Sequence, residues 1–268
     1  MSKDPLELDD PETWPPLVLP LLQENLSLLK EHAAFEQHRY VLLGSGPTEG
    51  ELAMRPNPLE EARNSLFAEI DQCCRDDNLL AYHCTRLTDD EVAGVREHGL
   101  RCLSDAVVSQ RLAQRVAAGD LAPEDVERLL GRMRSCTAEA PHGRIGKIWA
   151  VPSPRALSDE DGLGNPLRYW GGEALLSLDG SDRGKLATLG TACIVEFEAP
   201  ISKLVFASLP KDLVERFLHL YADGSDECGA DVCVQGSVPA NRVLNVFRRA
   251  DDEFERLTDC SNWRVELT

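Results

Sequence analysis

The segment "LLAYHCTRL" places a histidine, a cysteine and a threonine side by side, and these residue types support catalysis or ligand binding. His83 and Cys84 are the two components of a nucleophilic pair, in which a histidine takes the proton of a thiol. Adjacent side chains of an extended chain point to opposite faces, which disfavours that pair. His83 is therefore a candidate site residue by itself, although a histidine at the end of a strand is also commonly a structural, hydrogen-bonded residue.

The elements around this histidine are well marked. Residues 79–82 are a short apolar run that predicts a buried strand. Thr88 stands three residues before Glu91, which is the spacing of a capping box at the start of a helix. Gly99 follows the helical pattern at the position of a C-terminal cap. The pattern of strand, turn and helix predicts that His83 lies in the loop after the strand, where site residues tend to gather.

The nine cysteines do not form a metal-binding pattern. A structural zinc site needs paired ligands at short spacing, such as Cys-x-x-Cys, and the chain contains no such pair. Cys193 and Cys233 alternate with apolar neighbours, which predicts core positions in strands. The odd number of cysteines and the acidic residues 1–12, which lack a leader pattern, favour the cytoplasm, with export by a leaderless route left open. We expect no metal.

The chain is long and strongly acidic. Its 268 residues with 43% hydrophobic content are enough to bury a full core. The net charge of −18, with an isoelectric point near 4.7, disfavours broad electrostatic contact with a phosphate backbone. No apolar run approaches the roughly 20 residues of a membrane helix. The sequence predicts no membrane partner and leaves the oligomeric state open.

The N-terminal region is predicted to be helical. Residues 17–38 carry apolar residues at helical spacing, and residues 40–43 predict a brief strand. The Gly- and Pro-rich residues 44–58 predict a loop that ends this region, which spans 1–58. A further helix is predicted for residues 59–74.

The rest of the chain, residues 59–268, is predicted to form a second domain of α+β class. A helical insertion is expected at about residues 104–146, because residues 107–118 and the segment that begins at Pro123 carry helical apolar stripes. Outside the insertion, the pattern predicts the strands "KIWAV", "ACIVEFEA", "DVCVQG", "RVLNVF" and "NWRVEL", and helices near residues 173–178 and 211–221.

Four segments occur in a recognisable order, the middle two of which form one motif. "YHCTRLTDDEVAGVREHGLR" has a histidine and a threonine on a strand, followed by a helix that closes on Gly-Leu. "KIWAVPSPRAL" and "RYWGGEAL" follow with a second strand and an aromatic pair, and "GADVCVQGSVPANRVLNV" supplies an acid at the start of a strand. Together they resemble the ADP-ribosyltransferase superfamily, in its branch of poly(ADP-ribose) polymerases and diphtheria-type toxins. The resemblance implies a split mixed or antiparallel β-sheet core.

The resemblance also implies NAD as the substrate and assigns roles to individual residues. His83 would hydrogen-bond the adenosine ribose, and the backbone of Cys84 would pair with the nicotinamide amide. Tyr169 or Trp170 would stack on the nicotinamide ring. The NAD-binding residues implied in this way are His83, Cys84, Thr85, Trp149, Tyr169 and Trp170.

Asp231 occupies the position of the catalytic glutamate of the family and is one methylene shorter. The chemistry requires a carboxylate, because cleavage of the bond to nicotinamide develops positive charge on the ribose. Glu173 is a second candidate acid, and its position after Gly171 and Gly172 also suits a first-turn residue that complements a helix dipole.

Three interpretations follow from these patterns. The first is a mono-ADP-ribosyltransferase, a toxin, effector or defence protein, that modifies a protein more readily than a nucleic acid. Gly229 stands where arginine-directed family members carry Glu or Gln, which disfavours an arginine acceptor. The second is a catalytically inactive module that binds NAD or ADP-ribose and serves an interaction role. The third is a general α+β scaffold whose resemblance is accidental.

Overall fold

The computed structural model describes residues 4–43, 54–139, 143–172, 180–206, 208–222, 224 and 231–267. The chain divides into two compact units, Met1–Asp77 with Ser208–Cys228 and Asn78–Ala207 with Gly229–Thr268. The boundary predicted at residue 58 lies inside the first unit. The first unit also takes in a helix from the C-terminal half of the chain, because elements distant in sequence pack together there.

The described residues form ten α-helices and six β-strands, which confirms the α+β class. The helices are α1 (Val18–Glu24), α2 (Leu26–Leu43), α3 (Glu60–Cys74), α4 (Asp89–His98), α5 (Asp105–Ala117), α6 (Pro123–Glu139), α7 (Glu160–Arg168), α8 (Gly180–Thr188), α9 (Leu209–Tyr221) and α10 (Asp252–Thr258). The strands are β1 (Asn78–Leu87), β2 (Lys147–Ala150), β3 (Thr191–Pro200), β4 (Leu204–Phe206), β5 (Val232–Gln235) and β6 (Val243–Arg248).

The first unit is a bundle in which α3 contacts α1, α2 and α9. The α3 helix buries Leu66, Ile70 and Cys74, which recur every fourth residue and so form one apolar face. The strand predicted for residues 40–43 is wrong, because α2 continues through Leu43. A four-residue run without a partner strand satisfies its backbone groups within a helix.

The second unit contains two three-stranded antiparallel sheets, with strand orders β1-β3-β6 and β2-β5-β4. An isolated bridge joins Tyr82 of β1 to Val151, the residue after β2. Its two backbone hydrogen bonds, Tyr82 N–H to Val151 oxygen and the reverse, measure 2.9 and 3.0 Å. The six strands therefore follow the order β4-β5-β2-β1-β3-β6, with a division between β1 and β2.

Among the described residues of the second unit, two apolar clusters bear on the candidate site. The first covers one face of β1 and β3 and includes Tyr82, Cys84 and Ile194, together with Leu167 of α7 and Phe254 of α10. The second joins the helices of the predicted insertion to Trp170 and to α8, and its buried members are Val108, Leu112, Leu121, Leu129, Trp170, Leu186 and Leu189. The helices predicted for the insertion occur as α5 and α6, and the two contact each other.

Several strand and helix predictions change in the structure. β1 extends to Leu87, so the loop predicted at His83 is wrong and this residue lies within the strand, opposite Val195. The strand predicted for "NWRVEL" is also wrong, because Trp263 and Leu267 pack against the first cluster without pairing. The helix predicted for residues 173–178 lies outside the described residues.

Candidate functional site

The site begins where the two sheets of the second unit separate. Tyr82 is the last residue of β1 that bridges to the neighbouring sheet in the described part of the chain, and His83 is the next residue. The Nδ1 atom of His83 lies 2.7 Å from the carbonyl oxygen of Trp149 in β2. Because a carbonyl oxygen only accepts, Nδ1 carries the proton in this pair. Nε2 is then the acceptor nitrogen of the neutral ring.

The surroundings of His83 keep the ring neutral. Burial is the main cause that lowers the pKa of His83, and the positive charge of Arg111 lowers it further. The hydrogen bond to Trp149 opposes this effect without cancelling it. At neutral pH the side chain is therefore a hydrogen-bonding group rather than a cation. Thr85 is half-buried and follows on the same face of β1.

Cys84 faces away from the histidine. Its side chain packs into the first apolar cluster beside Tyr82 and Ile194, on the opposite face of β1. Burial raises the pKa of this thiol to about 12, so it stays protonated and a poor nucleophile. Cys84 therefore leaves the space beside His83 unobstructed and offers that side only its backbone.

The two adjacent aromatic residues of the resemblance have different surroundings. Trp170 is only 2% exposed and belongs to the second apolar cluster. Its Nε1 donates to a carboxylate oxygen of Glu91 at 2.9 Å, and the guanidinium carbon of Arg111 lies 4.5 Å from the ring centroid. The ring of Trp170 is thus enclosed by protein. Tyr169 packs against the same cluster but is half-buried, so its ring remains partly accessible.

Arginines lie against two partly exposed aromatic rings of this unit, those of Trp149 and Tyr169. The guanidinium of Arg144 lies 5.3 Å from the centroid of the Trp149 ring. Arg168 and Arg183 lie 5.3 and 6.0 Å from the centroid of Tyr169. Positive charge is therefore concentrated at these rings in a chain whose net charge is −18. Such surfaces suit a ligand that combines planar rings with anionic groups.

Asp231 lies on the other sheet from His83. It directly precedes β5, whose first residue, Val232, pairs with Ala150 at the end of β2. Val151 follows Ala150 and forms the bridge to β1, so Asp231 lies at the end of β5 nearest the bridge. Its side chain is exposed. Glu173, the second candidate acid, lies outside the described residues.

Glu91 and Arg111 are the site residues that sequence patterns did not single out for chemistry. Glu91 carries the capping box predicted with Thr88, which is confirmed. The same carboxylate also bonds Trp170, and its other oxygen lies 2.6 Å from Nε of Arg111. Burial opposes ionisation of Glu91, but the charge of Arg111 and these hydrogen bonds hold its pKa below the usual value. The helical position of Arg111 gave no signal of this contact.

A third residue, Arg86, has a structural role. It is 2% exposed, and it donates to the carbonyl oxygens of Leu189 and Gly190 at 2.7 and 2.9 Å. These hydrogen bonds fix the turn that leads from α8 into β3. Since β3 is the neighbour of β1, Arg86 helps to hold the strand that carries His83.

One group of residues in the first unit has metal-ligand types. His32, Glu36 and Glu60 place one potential ligand atom each within 4.8 Å of one another. The carboxylates already have protein partners, because Arg63 pairs with Glu60 and Arg39 with Glu36. His32 itself lies 3.1 Å from Glu60. The cluster is thus accounted for as a network of ion pairs and hydrogen bonds.

Comparison with known proteins yields no relative: no family model matches the chain, and no match was found among curated proteins or solved structures. Within the residues that the structure describes, no helix is long and apolar enough to cross a bilayer.

Proposed function

We propose that this protein is an NAD-dependent mono-ADP-ribosyltransferase whose substrate binds where the two sheets separate. The observation that carries the proposal is the position of His83, which is held at the separation by the Trp149 carbonyl with Nε2 as an acceptor. An acceptor nitrogen at this point suits a ribose hydroxyl. The split antiparallel sheet supports the same interpretation, because it is the core that the sequence resemblance implies.

The remaining groups divide the work of NAD recognition. The backbone of Cys84 pairs with the nicotinamide amide, which needs no side chain on that face. Tyr169 stacks on the nicotinamide ring, and its arginine neighbours add positive charge to this region. Thr85 and the backbone around Trp149 complete the binding surface beside His83.

Asp231 supplies the carboxylate of the reaction. The bond between nicotinamide and C1′ of the ribose breaks, nicotinamide leaves as a neutral molecule, and positive charge develops on the ribose. The carboxylate stabilises that charge and accepts the proton of the attacking acceptor group. The acceptor then bonds to C1′. A protein acceptor is proposed over a nucleic acid because the chain is strongly acidic. The role is that of a toxin, effector or defence protein acting in a cytoplasm.

The exposure of Asp231 favours a second candidate function. An aspartate reaches one methylene less far than a glutamate, and a displacement of about 1 Å at a reacting centre costs on the order of a hundredfold in rate. An exposed, shortened acid suits a module that binds NAD or ADP-ribose without turnover and acts through a partner. The two candidates share one binding site and differ in chemistry.

Nicotinamide release from NAD tests the proposal. Purified protein is incubated with NAD, with and without cell lysate, beside the variants Asp231→Ala and Asp231→Glu. Release that falls at least about a hundredfold in Asp231→Ala, with NAD affinity within about twofold of the wild type, supports the transferase. Faster nicotinamide release by Asp231→Glu would show that the short side chain of Asp231 limits the rate.

Other outcomes separate the alternatives. An NAD-induced rise in melting temperature without release favours the module that binds NAD without turnover, here called the silent module. Release that survives in Asp231→Ala refutes that acid, and Glu173→Gln is then the variant to measure. Absence of both binding and release contradicts both candidates.

A further inference from the structure

Arg111 is held rigidly at the edge of the candidate site. Its Nε atom lies 2.6 Å from Oε1 of Glu91, and its guanidinium lies over the ring of Trp170 at 4.5 Å. Glu91 is fixed in turn, because its Oε2 atom accepts from Nε1 of Trp170 and from the backbone of Thr88. These contacts order a side chain that otherwise has many rotamers. Arg111 is thus positioned before any ligand arrives.

One terminal nitrogen of this arginine is left without an acceptor. Nη2 of Arg111 is buried and forms no hydrogen bond within the described part of the chain. In the other described arginines that have such a buried nitrogen, the nitrogen is Nε and not a terminal one. A buried N–H without an acceptor costs roughly 1–3 kcal/mol, and such groups in native proteins call for an explanation. A ligand atom that accepts a hydrogen bond from Nη2 would provide this explanation.

The position of the charge indicates which ligand group this is. Glu91, the partner of Arg111, accepts from the backbone N–H of Thr88, the residue directly after β1, so the guanidinium lies near the end of the strand that carries His83, and its positive charge acts on that ring. A guanidinium donates well to phosphate oxygens, and its charge strengthens the bond. In NAD, the anionic group joined to the ribose is the diphosphate.

We propose that Arg111 binds the diphosphate of NAD, with Nη2 donating to a phosphate oxygen while Glu91 and Trp170 hold the guanidinium in place. The inference rests on the proposed function and extends it, since Arg111 is a binding residue for the transferase and for the silent module alike. It also explains why a helix of the insertion contributes to a site built mainly on strands.

Binding measurements with three probes test this role. NAD and ADP-ribose contain the diphosphate, whereas adenosine does not. The variant Arg111→Lys keeps a positive charge near Glu91 and loses the planar guanidinium. We expect the affinities for NAD and ADP-ribose to fall roughly tenfold or more, and the affinity for adenosine to change less than about twofold. The matched control is Arg115→Lys, one turn along the same helix, where both terminal nitrogens already pair with Asp90 and Asp120.

A second variant covers the case in which the lysine disturbs folding. Glu91→Gln combined with Arg111→Met removes the buried pair together, so that neither charge is left unpaired. Melting temperatures establish that each variant is folded.

Three results would overturn the inference, and they are distinguishable. Wild-type affinity for NAD in folded Arg111 variants refutes the role of Arg111 and leaves the proposed function standing. Equal losses for adenosine and NAD show that the site has merely collapsed, which also refutes it. A wild-type protein that binds neither NAD nor ADP-ribose overturns both the inference and the proposed function.

Discussion

The Nδ1 atom of His83 lies 2.7 Å from the carbonyl oxygen of Trp149, so a side chain of one sheet is bonded to the backbone of the other directly beside the bridge that joins them. This hydrogen bond selects one tautomer and fixes the direction of Nε2. Backbone pairing between the two sheets ends at Tyr82, and this side-chain hydrogen bond follows it. The candidate ligand-binding group is therefore held at the point where the sheets separate.

Replacing this histidine is expected to weaken NAD binding. His83→Ala removes the Nε2 acceptor, and the loss of one hydrogen bond of about 1 kcal/mol corresponds to roughly a fivefold rise in the dissociation constant. Isothermal titration calorimetry with NAD measures the change. His98→Ala, at the exposed end of α4, is the control and should bind as the wild type does. Equal affinities for wild type and His83→Ala would remove this residue from the site.

NAD affinity should depend on pH in a defined direction. Nε2 accepts a hydrogen bond only in the neutral ring, and burial lowers the pKa of His83 below its ordinary value of about 6.5. Affinity should therefore stay level from pH 8 down to about 6.5 and fall only in more acidic solution. The dissociation constant measured across this range checks the expectation. His83→Gln, which does not titrate, should lack the acidic fall, and a wild-type fall centred above pH 7 would contradict the assignment.

The first unit contains a carboxyl group, Asp212, that should make the folded protein less stable as the pH rises. Burial raises the pKa of Asp212 to about 7, and the neighbouring Glu215 adds to the shift. Between about pH 4 and 7 the unfolded chain gives up this proton while the folded chain retains it, so stability falls as the pH rises. Asp212→Asn removes that loss. Its melting temperature should exceed that of the wild type by an amount that grows up to about pH 7 and is constant above.

Thermal unfolding at pH 4.5, 6 and 8 measures this difference. Glu31→Gln is the control, because this acid of α2 in the same unit is exposed. A difference in melting temperature between Asp212→Asn and the wild type that does not change with pH would contradict the buried, protonated state of Asp212.

A comparison of alanine substitutions at Gly99 and Gly119 distinguishes the cost of backbone strain from the cost of steric overlap. Their φ angles are +85° and +80°, so alanine is strained at both positions. A Cβ at Gly99 would lie 2.0 Å from the carbonyl oxygen of Val238, whereas a Cβ at Gly119 meets no described atom within 4 Å. Gly99→Ala should therefore destabilise the protein by about 1–3 kcal/mol more than Gly119→Ala. Urea unfolding provides the comparison, and equal losses would contradict this close approach.

Patterns that depend on neighbouring residues were readable in the sequence. The capping box of Thr88 and Glu91, the helices of the insertion and four of the five strands predicted beyond it occur in the structure. Capping and apolar periodicity arise from bonds and faces within a few residues of chain, so the sequence determines them locally. The brief strand predicted at residues 40–43 failed because a strand requires a partner, and no local pattern supplies one.

The site itself depended on contacts between distant segments. Trp149 lies 66 residues from His83, and Trp170 lies 79 residues from Glu91. The sequence left Tyr169 and Trp170 as equal candidates for stacking, and only the tertiary structure distinguishes them, because Trp170 is buried and Tyr169 is half-buried.

The sequence by itself thus determined the residue types available to the proposed NAD site and the order of the elements that carry them. The tertiary structure alone decided that β1 and β2 separate after a single bridge, that His83 lies within a strand, and that Arg111 pairs with Glu91. The physical reason is that strand pairing and side-chain burial are fixed by the combined packing of the whole unit, whereas helix starts and apolar faces are fixed by a few adjacent residues.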